Sequence, residues 1–336
     1  MIPKAKTLLM TVLLAAVCCH LALGQSTQTT LLKIDIQDYV PYNYDVYDNQ
    51  KFASAPVLTP IVPMGAKAFG FFVFIGDIVA VNGKPVKGVW TARATGFSFE
   101  PNAVPGHSIA DLTRGNVIDM YWEILQVDGT PIGTLAASGL TRGSPPPGAP
   151  LSQTGDNLSI TGGTGAFLGT RGQAGVIDLG SPRQASVVED PASRRTIGGA
   201  KRSYVLHLIP MFVPQIVTTA NGPAVAHSSD FSPVTASKPA AAGEILSLFA
   251  TGLGPTVPRV DPGQPLPSSP LASVNSPIEV TVNGKPAEVL AAVGFPGAVD
   301  GYQVNFRVPP DTVKGVATIQ VSAAWVAGAP VRITVQ

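Results

Sequence analysis

ITGGTGAFLGTRGQAGVID, from Ile160 to Asp178, sets six glycines within the fourteen residues from Gly162 to Gly175. A stretch this rich in glycine either cradles a phosphate or lets two strands meet in a tight turn. The first choice makes a nucleotide enzyme, the second a β-barrel. A dinucleotide-binding fingerprint needs a third glycine three residues after the second, so that a helix can pack against its strand. Here Leu168 stands at that place, and the chain runs on into GQAGVIDL with no helix-forming stretch. No Gly-Lys-Ser/Thr follows either, so the phosphate loop fails on both counts. The remaining reading is a barrel turn in which Gly162, Gly163, Gly165 and Gly172 allow positive φ and close backbone approach. Phe167 is then its buried plug.

Outward from this turn the texture is strands and turns. FGFFVFIGDIVAV (Phe69–Val81) precedes Asn82-Gly83, whose residues tolerate the positive φ of a two-residue hairpin. VKGVWTARATGFSF (Val86–Phe99) returns. NVIDMYWEILQV (Asn116–Val127), a turn at Asp128-Gly129 and TPIGTLAASGL (Thr130–Leu140) follow. GSPPPGAP (Gly143–Pro150) reads as an exposed loop, because consecutive prolines supply no ladder donors. Strands resume at NLSITG, GQAGVIDL and SYVLHLIPM (Ser203–Met211).

Residues 212–242 are rich in Pro, Ala and Ser and read as a linker and sandwich entry. Beyond them EILSLFATGLGP, the hairpin IEVTVNGKPAEVLAAV, YQVNFRVPP, VATIQVSA and PVRITVQ alternate with period two, the signature of a β-sandwich. The pentapeptide VNGKP occurs in both halves, at Val81–Pro85 and Val282–Pro286. The flanks differ, so shared hairpin chemistry accounts for it.

The N-terminus carries Lys4 and Lys6, an apolar run from Leu8 to Val17, and Ala22-Leu23-Gly24. That pattern predicts a secretory signal peptide cleaved after Gly24, with residues 25–54 as a tyrosine-rich arm or first strand. A lipid anchor at Cys18 or Cys19 fits less well, because the preceding residue is not small. Both of the chain's 2 cysteines fall inside the signal, so a secreted, periplasmic or cell-surface protein would lack disulfides and depend on its core. Charged residues are 13% with a net charge of +1, which leaves no basic stripe for nucleic acid and no polybasic segment for a membrane surface. The signal's apolar run is shorter than the ~20 residues needed to span a bilayer, and no transmembrane segment is expected after its removal.

The segment NLSITGGTGAFLGTRGQAGVID closely resembles the GGTG-x-F-x-x-x-x-G segment of dirigent proteins and allene oxide cyclases. The preceding order is similar too: an aromatic strand with Trp122-Glu123, the Asp128-Gly129 turn, a small-residue strand ending SGL, and a polar loop. The resemblance covers residues 55–211. It implies an eight-stranded antiparallel barrel of the calycin type, often trimeric. The C-terminal part, with Gly243-Glu244-Ile245, Gly252-Leu253-Gly254-Pro255 and Tyr302-Gln303-Val304-Asn305, resembles an Ig-like module of secreted acidobacterial proteins related to IPT/TIG domains. That resemblance implies presentation or attachment for residues 243–336. The expected fold class is therefore all-β, a barrel followed by an Ig-like sandwich.

Catalytic constellations are sparse. There is no G-x-S-x-G elbow, and His227-Ser228-Ser229-Asp230 are adjacent in sequence, which a spatial relay does not allow. No zinc or EF-hand spacing is present, although Asp45 and Asp48 could touch calcium. Tyr39, Tyr42, Tyr44 and Tyr47 could stack on sugars, but more readily pack on the outside of the domain. Along DMYWEILQV one face carries Met120, Trp122 and Ile124, the other Tyr121, Glu123 and Leu125, and a one-residue slip exchanges which set points inward. If Tyr121 and Glu123 face in, they would join Arg93, Arg171 or His207 in a polar pocket.

Three readings follow. In the leading one the barrel binds an apolar small molecule or a protein partner and needs no cofactor. The second is cofactor-free control of a cyclisation or coupling reaction inside the barrel, and the third a structural exoprotein that oligomerises through it.

Overall fold

The computed structural model describes residues 30–43, 69–97, 115–141, 157–178 and 180–336. The expected signal sequence and cleavage site, Tyr44, Tyr47, Asp45, Asp48 and the proline-rich stretch 143–150 lie outside the described residues.

The chain is all-β. Eight strands form a closed antiparallel barrel: β1 (Thr30–Asn43), β2 (Phe69–Val81), β3 (Lys87–Phe97), β4 (Gly115–Leu125), β5 (Pro131–Thr141), β6 (Asn157–Gly165), β7 (Arg171–Asp178) and β8 (Ala200–Ile209). Each pairs with the next in sequence, and β1 closes the ring by pairing with both β2 and β8. The barrel thus begins at Thr30 and not at residue 55. Of the tyrosine-rich segment, residues 30–43 are the first strand, with ladder hydrogen bonds on both edges.

Period-two alternation decides what points inward. Along β4, Ile118, Met120, Trp122 and Ile124 are buried while Val117, Tyr121 and Glu123 are exposed. The more apolar set goes inside because only it recovers the free energy of leaving water. Trp90 and Trp122 are cross-strand partners on β3 and β4, both fully buried. Tyr204 on β8 meets both rings, at centroid distances of 5.5 and 5.2 Å. With Leu32, Ile34, Leu135, Leu206 and Leu208 these rings fill the middle of the barrel.

The two ends differ. At one end, called narrow here for its tight turns, the connections are short, residues 82–86, 126–130 and 166–170. The glycine stretch is the β6–β7 hairpin, with its turn tied by Phe167 N–H to the Thr164 carbonyl and Thr170 N–H to the Phe167 carbonyl. A Cβ on Gly163 would lie 2.5 Å from the Phe167 carbonyl oxygen, and Gly165 has φ +61°. Phe167 itself is 1% exposed and belongs to the barrel core.

The second domain is a β-sandwich of β9 (Val225–His227), β10 (Ile245–Thr251), β11 (Ile278–Val282), β12 (Lys285–Gly294), β13 (Tyr302–Arg307), β14 (Gly315–Ala323) and β15 (Val331–Val335), with shorter bridges between. β12 passes between the layers: Lys285–Ala287 pair with β11 and the rest with β13. Leu246, Leu248, Val280, Val304, Phe306, Ile319 and Val321 fill the space between them.

This sandwich packs on the narrow end of the barrel. The turn after β14 carries Ala324 and Trp325, both at positive φ, and Ala324 is buried in the barrel's own core with Trp325 packed against it. Gln126 donates to the Asn275 carbonyl, Asn275 donates to the Pro131 carbonyl, and Lys84 pairs with Glu279.

Candidate functional site

The opposite end of the barrel is its mouth. β1, β3, β5 and β7 end there and β2, β4, β6 and β8 begin there, so all four long connections leave and rejoin the barrel at this rim. A cavity of about 690 Å³ opens between Tyr39, Pro41, Phe72, Phe74, Asn116 and Arg202, with Gly180, Ser181, Pro182 and Gln184 along one side. That volume is of the size that holds a small organic molecule.

Tyr39 reaches the cavity because β1 is irregular. From Ile36, which faces in, strict alternation would send Asp38 and Val40 inward. The register with β8 instead advances from Ile36–Arg202 to Tyr39–Ala200, three residues on one strand against two on the other. Asp38 absorbs the extra residue at φ +51°, a conformation that Asp tolerates better than most residues. Tyr39 and Pro41 then face the cavity, while Val40 and Tyr42 join a small outer core with Ala185. Of the tyrosine cluster, Tyr39 is therefore interior, contrary to the expectation that it packs outside, and Tyr42 is on the outside. Burial first, and then the Glu189 charge, push the Tyr42 hydroxyl above its ordinary range.

Arg202 is the cation of this wall. It shares the strand face of Tyr204, Leu206 and Leu208, and its guanidinium carbon lies 4.2 Å from the Tyr39 ring centroid and 5.7 Å from that of Trp90. Contacts this close to ring faces are attractive, since the π quadrupole is negative there. Its Nη1 donates to the Tyr204 hydroxyl at 3.3 Å. Tyr39, Trp90 and Phe74 are in mutual ring contact at 5.3 to 6.2 Å, forming an aromatic floor. The indole N–H groups of Trp90 and Trp122 are buried beneath it without a hydrogen-bond partner.

The residues expected to form a polar pocket are elsewhere. Arg93, Tyr121, Glu123, Arg171 and His207 all lie on the outer face of the barrel and are exposed. For Arg93, Tyr121, Glu123 and His207 the strand neighbours on either side are apolar residues that fill the interior, and Arg171 shares the outward parity of Gln173, opposite to the buried Ala174 and Val176. Among the described residues, Arg93 alone of the five is tied to a neighbouring charge, Asp119 at 3.2 Å, and Asp119 also accepts from Ser138. The five are not brought together. Arg202 was missed in the sequence, although its parity with Tyr204, Leu206 and Leu208 placed it on the inward face. Tyr39 carried no such signal, because a bulge leaves no periodic trace.

His227 and Asp230 do not face each other as a relay would require. His227 Nδ1 lies 2.5 Å from Glu244, and Asp230 pairs with Lys238. Among the described residues no group of three His, Cys, Asp or Glu could hold a metal ion, and no helix is long and apolar enough to cross a membrane.

No family model matches this sequence, and no curated protein matches it. Among solved structures the chain is similar to the pterocarpan synthase dirigent protein GePTS1, at 16% identity and a TM-score of 0.29, over 54% of this chain and 84% of that one.

Proposed function

We propose that this chain is a secreted binding protein whose barrel mouth takes one planar, largely apolar small molecule. The observation that carries the reading is the cavity of about 690 Å³ walled by Tyr39, Phe72 and Phe74, with the buried rings of Trp90, Trp122 and Tyr204 in the barrel core. Aromatic walls favour a flat guest through area burial and ring stacking. The filled middle limits the guest to the mouth. The N-terminal signal pattern supports export, and the C-terminal sandwich, read as an Ig-like presenting module, holds the opposite end and leaves the mouth clear of it. Arg202 favours a second reading, in which the cavity steers a cyclisation or coupling without a cofactor: a fixed cation beside a bound guest would stabilise negative charge developing on it.

The test is native mass spectrometry of the full chain after incubation with an apolar extract of the producing organism. The expected result is one discrete added mass per chain, lost in Gly180→Trp, a bulky substitution at a cavity-lining residue where an added Cβ meets nothing within 4 Å. Bare protein throughout would overturn the reading. Recovery of the guest in altered form would select the second one.

A further inference from the structure

β7 and β8 are antiparallel neighbours in register from Gly172–Leu208 to Asp178–Arg202. A connection of about two to five residues suffices for such a pair. The chain instead continues through residues 180–199, a strap fastened along the outside of β1 and β2. Its first residues, Gly180 to Pro182 and Gln184, line the cavity. Ala185 and Ser186 then pair in parallel with Tyr42 and Asn43, and Ala185 and Val187 pack on Val40, Tyr42 and Ile75. Arg183 holds Glu189 with two hydrogen bonds of 2.9 and 2.6 Å and donates from Nε to the Gly198 carbonyl at 2.7 Å.

The far end of the strap is fixed by charge. A single helical turn, α1 (Arg194–Ile197), presents Arg194 and Arg195 to Asp77 on the outer face of β2. The Arg194 side chain is 7% exposed, so its charge depends on that carboxylate. Arg195 adds contacts of 2.6 and 2.9 Å to the two Asp77 oxygens. The strap re-enters the barrel at Gly199, so close to β1 that a Cβ there would lie 2.5 Å from the carbonyl carbon of Asp38. Asp38 is the residue whose conformation turns Tyr39 inward.

We propose that this strap sets the size of guest the mouth accepts, and that Asp77, which lies outside the cavity, is the residue that positions it. The inference rests on reading the cavity as a ligand site. One wall, Gly180–Gln184, belongs to the strap, and a second, Tyr39, depends on the bulge that the strap's return braces. The remaining aromatic residues, Phe72 and Phe74 on β2 with Trp90 on β3 in ring contact with Phe74, are not held by it. Removing the Asp77 charge leaves Arg194 buried without its counter-ion, so the helical turn withdraws and the strap loosens while the barrel core stays packed. The consequence is loss of size discrimination rather than loss of fold.

The experiment uses the full chain and two neutral fluorescent probes, 1-aminonaphthalene and the bulkier pyrene. Wild type is expected to prefer the smaller probe, and Asp77→Asn to shift the ratio of the two affinities toward pyrene by about tenfold, the scale on which cavity shape discriminates apolar guests. Asp77→Glu, which keeps the charge, should restore most of the preference. Arg195→Gln removes one arm of the anchor from an exposed position and should shift the ratio in the same direction if Asp77→Asn proves too unstable to measure. A ratio unchanged in both variants overturns the role of the strap while leaving the cavity reading intact. Failure of wild type to bind either probe overturns both.

Discussion

The two ends of the barrel are built on opposite principles. At the narrow end each connection is a short turn, Phe167 seals the interior, and the sandwich presses Ala324 and Trp325 into the same core. At the mouth the connections are long, β1 breaks its alternation, and a cation lies among rings beside open volume. The narrow end is over-determined by backbone: glycines there are required by contacts, not by flexibility. The mouth is determined by side chains and by a strap held with ion pairs. Close backbone contacts thus lie at one end and open volume at the other, the division expected between a scaffold and a site.

Substitution at the narrow end should show this most strongly. Gly163→Val would place its Cβ within 2.5 to 2.8 Å of two carbonyl oxygens and the Phe167 side chain, none of which can move without opening the hairpin. The expected loss is about 4 kcal/mol or more, enough to prevent folding of the barrel. Gly162→Val, where the nearest atom is the Arg171 Nη1 at 3.4 Å, should cost within about 1 kcal/mol. Urea denaturation followed by circular dichroism separates the two, and equal stabilities would remove the claim that the turn is backbone-determined.

Trp325→Ala tests whether the sandwich belongs to that rigid end. Truncating an aromatic packed on the barrel core should cost about 3 kcal/mol, the lower part of the range for a large side chain, because Trp325 is only partly buried. The barrel should be the domain that loses the stability, seen as earlier hydrogen exchange in β5 and β6. Loss confined to β14 and β15 would mean that the domains merely touch.

Much of the narrow end was legible in sequence. Asn82-Gly83, Asp128-Gly129 and the glycine stretch name their own turns, because positive φ selects residue types. The inward face of β4 was open between two registers, and the structure settles it by apolar content: Met120, Trp122 and Ile124 against Tyr121 and Glu123. The mouth was far less legible. A bulge at Asp38 moves Tyr39 without any compositional mark. The partnership of Asp77 with Arg194 and Arg195 joins residues more than a hundred positions apart, which no local pattern encodes.

At the mouth the expected effect is smaller and depends on pH. Burial by itself would raise the Asp77 pKa, but hydrogen bonds and charge from Arg195 and Arg194 outweigh it and hold the carboxyl below the ordinary range. Its contribution to stability is therefore complete above the ordinary aspartate pKa and is lost as pH falls through the lowered value. Wild type should lose stability in that acidic window, and Asp77→Asn should be less stable above it with a flatter profile within it. Chemical denaturation midpoints across the acid range check this; parallel curves would mean the strap is not held by charge.

The smallest effect asks whether the order of the narrow end comes from its turns or from the docked sandwich. VNGKP occurs at Val81–Pro85 and at Val282–Pro286, and the two copies fold alike. Asn82 and Asn283 have φ +49° and +51°, and each is followed by a glycine of positive φ. Each asparagine donates its N–H to a carbonyl of the neighbouring strand, Lys33 or Thr318, and accepts the N–H of that same residue on its side-chain oxygen, all at 2.8 Å. The copies differ in what the lysine reaches: Lys84 crosses to Glu279 of the other domain, whereas Lys285 pairs with Asp311 within its own. If the clasp is local, Asn82→Ala and Asn283→Ala should each cost about 1 kcal/mol, the net worth of a hydrogen bond of this kind. If docking reinforces the barrel's copy, Asn82→Ala should cost measurably more, and Trp325→Ala should abolish the difference. A double-mutant cycle between Asn82 and Trp325 reads that coupling directly, because the two residues share the narrow end without being sequence neighbours. Zero coupling would assign the rigidity of this end to its own five residues.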